Sequence, residues 1–361
     1  MKKLKIAQIG VHHEHASGKM ATLRREFADQ VEILGIAPES PTGLYPDFRN
    51  DVNYHGLKWM SVEEILNLPD LDAVFVETDM RMLVPTARRA LAHNLPIHID
   101  KPAGGEELDA FAELMHEAER KHLPVQPAYM FRGSHPINFA RRAVRKGWLG
   151  KVSVFDANMN RCDIAASPLR SWQATYPGGG MFNYGSHLID VVIDFFGEPE
   201  EVIPVSRKMG DDELNDNMLA VLAYPGCLAT VRVSLRVCRP AAHRRISIHG
   251  ERGLLEITPI EQGYDRTPGY PTFNSTPVTI HMELEDGNDE YSAGTYDLQF
   301  DPMRDRYFDQ LREFFAILRG EKDNPYSAEH EILVQKAVLA ASGYIPWKYR
   351  IKSNNTERDK K

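Results

Sequence analysis

The chain has few cysteines and no long apolar run. Three cysteines occur among its 361 residues, at Cys162, Cys227 and Cys238, with no C-x-x-C pair. A sparse, odd set is typical of neither a disulfide framework nor a zinc knuckle, and it favours a reducing compartment, so we expect a cytoplasmic protein. No window holds about 18 consecutive apolar residues, and the apolar stretch from Ile6 to Val11 is too short for a signal sequence, which predicts no membrane span and no export.

The chain also lacks an excess of positive charge. Lysine and arginine number 43 against 51 acidic residues, which gives a net charge of −8. Such a chain has no broad positive field to attract phosphate backbones, so nucleic acid is not the expected partner. Hydrophobic residues make up 42% and charged residues 26%, which is ordinary globular usage, and the length is enough for about two domains.

Two patterns of secondary structure divide the chain. Over residues 1–126, short apolar runs alternate with amphipathic helical segments, which predicts a Rossmann-type, doubly wound parallel sheet. After residue 127 the apolar residues alternate along hairpins, such as the one turning at Pro225-Gly226. This pattern predicts an α+β domain over 127–361 with an open, largely antiparallel sheet and closing C-terminal helices. The predicted fold class is therefore α/β with two domains.

The first strand ends at Gly10, where a dinucleotide's pyrophosphate binds in such sheets. The candidate contacts in this turn are Gly10, Val11, His12 and His13. Only the first glycine of G-x-G-x-x-G is present, because His12 and His15 occupy the other two positions. The turn therefore leaves open that the domain binds another ligand or none.

An acidic side chain follows the second predicted strand. Glu39 lies one residue after Pro38, which has the usual position of the carboxylate that binds the ribose hydroxyls. Its charge disfavours a 2′-phosphate, so the sequence favours NAD over NADP.

The cluster from His12 to His15 also has a metal interpretation. On a helix, His12 and His15 would share one face at i, i+3. The H-E-x-x-H spacing of zinc proteases is absent and no further ligand cluster is visible, so we expect no metal; a metal-dependent hydrolase remains a third possibility.

Two later segments carry a family resemblance. The segment from Pro96 to Pro102 resembles the E-K-P motif of the Gfo/Idh/MocA oxidoreductases, with Asp100 in place of Glu. The segment from Gly178 to Asp190 resembles the G-G-G-x-x-x-D-x-G-x-H-x-x-D signature of the same family, with Asn183 where Asp is usual. The resemblance extends over roughly residues 3–345 and implies an NAD(P)-dependent dehydrogenase or reductase.

The resemblance also implies roles for individual residues. Lys101 and His187 match the pair that handles the proton of the reacting hydroxyl, with His187 as general base. Asn183 matches the assisting carboxylate; as an amide it leaves a His187 imidazolium unsupported. Further substrate contacts are expected at Tyr129, Arg132 and Asp190, and further cofactor contacts at Thr78, Asp79 and Asp100.

The resulting hypothesis is a cytoplasmic enzyme that transfers hydride between NAD or NADP and a sugar, polyol or related small molecule. A homodimer or homotetramer is implied by the resemblance. The alternative is a catalytically degenerate ligand-binding or regulatory protein on the same scaffold, because a fold does not determine a function.

Overall fold

The computed structural model describes residues 2–39, 50–261, 277–301 and 303–351, and the backbone of one short strand pair at 264–265 and 272–273. Within these residues the chain forms two large sheets, each covered by helices, and one separate two-stranded sheet. None of the described helices has the length and apolar content that a membrane span needs.

The N-terminal sheet is parallel and has five strands in the order β2-β1-β3-β4-β5. Its strands are almost wholly buried because helices cover both faces. Strand order reverses between β1 and β3, and such a switch point opens a crevice at the carboxyl ends of the strands. The elements are β1 (Leu4–Ile9), α1 (Glu14–Glu26), β2 (Val31–Ala37), α2 (Val62–Leu66), β3 (Ala73–Val76), α3 (Leu83–Ala92), β4 (Ile97–Ile99), α4 (Leu108–Arg120) and β5 (Val125–Pro127).

The second sheet has eight strands in the order β15-β14-β11-β10-β6-β9-β8-β7. All neighbours are antiparallel except β6 and β9, which are parallel. Its strands are β6 (Val152–Asn158), β7 (Glu201–Arg207), β8 (Asn217–Tyr224), β9 (Cys227–Ser234), β10 (Arg245–Gly250), β11 (Gly253–Ile257), β14 (Val278–Leu284) and β15 (Gly294–Phe300). The short strands β12 (Tyr264–Asp265) and β13 (Thr272–Phe273) pair only with each other.

The remaining helices join the two sheets. Helices α5 (His135–Arg145), α7 (Ser186–Phe196) and α9 (Ala328–Ala341) pack on the inner face of the second sheet, and α9 also packs on α4. Helix α8 (Phe308–Leu318) returns to the first domain, where Phe314 and Phe315 contact Phe75 of β3. The short helix α6 (Pro168–Ala174) lies over the crevice.

The structure confirms the predicted fold class. The capping box at Ser61 starts α2, with Glu64 bonded back to the Ser61 backbone N–H. The hairpin at Pro225-Gly226 joins β8 to β9. The first helix begins at Glu14, so His12 lies outside it and does not share a helical face with His15; the i, i+3 arrangement that the metal interpretation needs does not form.

Candidate active site

A small, partly open space, the central cavity, lies where β1, β3 and β4 end at one edge of the parallel sheet. Its volume is about 30 Å³, room for about two water molecules. Side chains of the second domain complete its wall. Its principal polar lining residues are His13, His15, Asp79, Asp100, Lys101 and Asn183. The structure therefore brings six polar groups from distant segments to the position where ligands bind in such folds.

The turn after β1 requires a glycine. Gly10 has φ +100°, and a Cβ at this position would lie 2.1 Å from the backbone oxygen of Glu77. The turn therefore packs directly against the end of β3. This close packing positions the start of α1 beside the central cavity. Val11 points elsewhere, because its fully buried side chain belongs to the apolar core under α1.

Lys101 is a buried lysine, not a surface one. Its side chain is 2% exposed, and its Nζ donates to the backbone O of Asn183 at 2.6 Å and to the Asn183 Oδ1 at 2.9 Å. Burial lowers the pKa of Lys101 to about 8, with Arg306 and Arg161 adding to the effect against the attraction of Asp100. An ammonium with such a pKa exchanges a proton near neutral pH.

Asn183 is a partner of Lys101 rather than of His187. It lies in a π-helical turn (Met181–Gly185), and its described hydrogen bonds come from Lys101 and from the Ser186 hydroxyl. No described hydrogen bond joins Asn183 to His187, so the electrostatic link between position 183 and that imidazole stays a prediction. The presence of Asn183 in place of the usual Asp affects the pKa of Lys101. A carboxylate at position 183 would stabilise the ammonium form of Lys101 more strongly than the amide does.

Asn183→Asp is accordingly expected to raise the pKa of Lys101 from about 8 by about 1–3 pH units, the usual effect of an adjacent opposite charge. The pH dependence of Lys101 modification by trinitrobenzenesulfonate, followed by peptide mass spectrometry, measures this directly. Asn217→Asp, on β8, is the control and should leave Lys101 unchanged. An identical pH dependence in Asn183→Asp and the unmodified chain would contradict the expectation.

His187 lies behind the central cavity at the start of α7. Its imidazole packs edge-on against Tyr129 and Phe131, with ring centroids 6.0 and 5.9 Å apart. Burial, together with the charges of Lys101 and His15, lowers the pKa of His187 well below its usual value. Within the described residues its buried Nδ1 has no hydrogen-bond partner. The predicted general base is therefore a neutral and enclosed imidazole.

Two histidines converge on Asp100. The Nδ1 of His15 lies 3.2 and 3.3 Å from the two carboxylate oxygens, and the Nε2 of His13 lies 3.8 Å from one of them. His13 also caps α1, because its Nδ1 accepts from the backbone N–H of Ala16. Burial lowers the pKa of His13 to about 4. Burial alone would raise the pKa of Asp100, but His15, His13 and Lys19 hold it well below its usual value.

Asp79 connects the two domains. Its carboxylate accepts from the Trp172 indole at 2.8 Å and from the Tyr176 hydroxyl at 2.6 Å, and both donors belong to or follow α6. The neighbouring Thr78 also lines the cavity, and its hydroxyl donates to the Asp79 carbonyl. These contacts hold α6 down over the crevice.

Arg132 and Asp190 lie in a separate buried ion network. Arg132 donates to Asp190 and to Glu331 at 2.6 Å each, and its guanidinium stacks on Tyr129 and Tyr326. Neither Arg132 nor Asp190 lines the central cavity. Their assignment as substrate contacts stays a prediction, since a substrate hydroxyl has to compete with these partners.

Sequence reasoning missed several residues of the site. In the sequence, His15 stands out only because it replaces a glycine of the dinucleotide motif and because it could bind a metal. Trp172 and Tyr176 belong to no recognisable motif. The signal for His15 was its spacing of two from His13, which places both rings at the start of a helix. His12 is half-buried beside them, and Glu39 at the end of β2 is bonded to Thr86 and Arg89.

Comparison with known proteins adds a family for the second domain. Residues 137–256 match the model of the GFO/IDH/MocA C-terminal domain, which confirms the resemblance seen in the sequence. A curated relative, the uncharacterized oxidoreductase YhhX of Escherichia coli, is 25% identical over 304 residues, which cover 77% of this chain and 79% of the relative.

Solved structures share the fold over nearly the whole chain. UDP-N-acetylglucosamine 3-dehydrogenase GnnA from Acidithiobacillus ferrooxidans has a TM-score of 0.72 at 17% identity, covering 96% of this chain and 98% of its own. The WlbA dehydrogenase from Chromobacterium violaceum, solved with NADH and UDP-GlcNAcA, has a TM-score of 0.72 at 15% identity, covering 94% and 93%. At these identities the likeness concerns the fold alone.

Proposed function

The segment from residue 137 to 256 is a Gfo/Idh/MocA C-terminal domain, and from this premise we propose that the chain is a nicotinamide-dependent oxidoreductase. Its substrate class is a sugar, polyol or related small molecule with a hydroxyl or carbonyl group. The observation that carries the proposal is the buried Lys101, with its pKa near 8, at the carboxyl end of a parallel strand beside the switch point. The similarity to a dehydrogenase solved with NADH supports it.

The residues at the switch point fit a dinucleotide. The glycine turn after β1, drawn tightly against Glu77, leaves the N-terminal end of α1 facing the crevice, where backbone N–H groups and the helix dipole favour a pyrophosphate. The bound cofactor would supply or accept a hydride at its nicotinamide ring. Gly10, His12, His13, Thr78 and Lys101 are the residues that would hold it.

A dinucleotide has to open the cleft before it binds. The central cavity of about 30 Å³ is far below the roughly 300–1,000 Å³ of ordinary ligand pockets. Leu169 and Trp172 of α6 close it from the second domain. Binding therefore requires α6 to move and the contacts of Asp79 with Trp172 and Tyr176 to break.

Lys101 is the group that handles the oxygen of the substrate. As an ammonium it donates to a carbonyl or hydroxyl oxygen and stabilises the charge that develops there. Asn183 orients it through two hydrogen bonds. Because Asn183 has no charge, the ammonium releases its proton more easily than it would beside a carboxylate.

The second candidate function is a ligand-binding protein without turnover. The closed cavity and the amide at position 183 favour it.

Both proposals are tested by the melting temperature of the full chain with NAD⁺ or NADP⁺. A dinucleotide at 100 times its Kd stabilises the folded state by about 2.7 kcal/mol, which raises Tm by several degrees. An unchanged Tm and unquenched NADH fluorescence would contradict the oxidoreductase. Binding without NADH formation on a panel of polyols and nucleotide sugars would favour the binding protein.

The preference between NAD and NADP is proposed to depend on Glu39. Its carboxylate is held at the end of β2 by Arg89 and Thr86, where it repels a 2′-phosphate. Glu39→Gln is expected to improve NADP⁺ affinity about tenfold relative to NAD⁺, the effect of removing one nearby like charge. Glu63→Gln, which removes the other carboxylate on Arg89, is the control. Titration of both variants with each dinucleotide measures the ratio, and equal ratios would exclude the role of Glu39.

A homo-oligomer is also proposed. The outer face of the second sheet exposes Ile203 and Val205 on β7 and Leu228 on β9, each more than 40% accessible. Neighbouring strands place them on one side of the sheet, where a second copy would cover them. Light scattering at micromolar concentration tests this, and a monomer mass would contradict it.

A further inference from the structure

The tautomers of two histidines in the central cavity follow from their hydrogen bonds. The Nδ1 of His13 faces the backbone N–H of Ala16 at 3.2 Å, and an amide N–H donates, so this nitrogen carries the lone pair. With the pKa of His13 lowered to about 4 by burial, the ring is neutral at pH 7. Its hydrogen is therefore on Nε2, the nitrogen that lies 3.8 Å from Asp100.

His15 has the opposite tautomer. Its Nδ1 lies 3.2 and 3.3 Å from the two oxygens of Asp100. The carboxylate is ionised, because its hydrogen bond with His15 and the charge of Lys19 lower the pKa of Asp100 against the effect of burial, and an ionised carboxylate only accepts hydrogen bonds. A hydrogen of His15 is thus on Nδ1, and in the neutral ring its Nε2 presents a lone pair. A carboxylate that orients an imidazole in this way is the arrangement of a general base.

The positions of the two candidate bases differ in access. His15 lines the central cavity together with Lys101, and its side chain is 25% exposed. His187 does not line the cavity, is 6% exposed and packs between aromatic rings. A base that returns its proton to water needs access to solvent, and His15 is the more exposed of the two.

We propose that His15, oriented by Asp100, is the general base of the oxidation for which Lys101 holds the substrate oxygen; this rests on the proposed function. The O–H bond of the substrate breaks and its proton moves to the Nε2 of His15. The C–H bond would break with its electron pair as a C=O bond forms, and a bound nicotinamide cofactor would accept the hydride. The imidazolium then releases the proton to water, and Asp100 stabilises its charge until it does so.

The same three side chains have a competing interpretation as metal ligands. One nitrogen or oxygen from each of His13, His15 and Asp100 lies within 4.8 Å of the others. The tautomer of His13 opposes this, because the nitrogen that faces Asp100 carries a hydrogen while the other is occupied by the cap of α1. A metal-bound imidazole ordinarily has its hydrogen on the nitrogen away from the metal.

Carbethoxylation by diethyl pyrocarbonate tests the base without requiring a substrate. The reagent attacks a bare imidazole nitrogen, and peptide mass spectrometry gives the rate for each histidine of the full chain. We expect His15 to react faster than the more exposed His116, and Asp100→Asn to slow His15 about tenfold, the effect of losing one adjacent charge, with His116 unchanged. An equal rate in Asp100→Asn would overturn the proposal.

Two further measurements keep the test decisive. If Asp100→Asn does not fold, the ¹⁵N shifts of the unmodified chain report the tautomer, with the signal of His15 assigned by its loss in His15→Gln; a hydrogen on Nε2 would overturn the proposal. In His15→Gln we expect dinucleotide affinity to be retained and turnover of the best panel substrate to fall about 10²–10⁴-fold. Unchanged turnover would overturn the role.

The outcomes separate this proposal from the one it rests on. Stoichiometric zinc that is lost in both His15→Gln and Asp100→Asn would replace the base by a metal centre. A chain that binds no dinucleotide would end the oxidoreductase proposal, whereas the diethyl pyrocarbonate rates would still show whether Asp100 activates His15.

Discussion

Replacing Arg132 with methionine is expected to lower the free energy of unfolding by about 3–5 kcal/mol, because it removes the cation shared by two buried carboxylates. Asp190 and Glu331 are 1% and 2% exposed, and both are bonded to the same guanidinium. Without it, two negative charges stay buried without compensation. Arg142→Met, which breaks an exposed pair with Glu290, should cost at most about 1 kcal/mol. Urea denaturation of both variants at pH 8 measures the difference.

The pH dependence of this loss has a definite sign. Burial raises the pKa of Asp190 to about 6 in the folded chain, above the unfolded value near 4. The folded state therefore binds this proton more tightly, and between about pH 4 and 6 stability falls as pH rises. Without Arg132, which lowers the pKa of Asp190, that carboxyl takes up its proton at still higher pH. The deficit of Arg132→Met should thus be smaller at pH 5 than at pH 8, and an equal deficit would contradict the account.

Lys101→Met is expected to reduce kcat by about 10²–10⁴-fold, the usual cost of one positioned proton-handling group. Dinucleotide affinity should change far less, because the lysine acts on the substrate oxygen. Lys121→Met, which removes a lysine from the exposed end of α4, is the control and should leave kcat unchanged. Steady-state rates with the best substrate of the panel, together with dinucleotide titration, separate the two effects.

Lys101 should also determine part of the pH profile. With a pKa of about 8, it is an ammonium below that pH and loses its donor proton above it. The rate of carbonyl reduction should therefore fall as pH rises through 8, and Asn183→Asp should move this fall to higher pH. A kcat of Lys101→Met equal to that of the unmodified chain would show that the lysine only stabilises the fold.

The local elements were determined by the sequence alone. The apolar run from Leu4 to Ile9, the capping box at Ser61 and the turn at Pro225-Gly226 each encode their structure within a few residues, and all three are found as expected. The positions of Lys101 and Asn183 at the site also followed from motifs. The hydrophobic period of a strand, the capping of a helix and the residues of a turn all act within a few positions of one another. A linear sequence pattern is therefore enough to predict such elements.

Contacts between distant segments were decided only by the tertiary structure. Asp100 meets His15 across 85 residues, and Lys101 meets Asn183 across 82. The pairing of Lys101 with Asn183, and the cover that Trp172 places on the cavity, depend on how the two domains dock, whereas the pairing of Asp100 with His15 depends on how α1 and β4 pack within the first domain. The sequence resemblance predicted His187 as the general base. In the structure, burial among aromatic rings makes that imidazole neutral and enclosed. Charge and solvent access at a site are properties of everything packed around it, and no single segment encodes them.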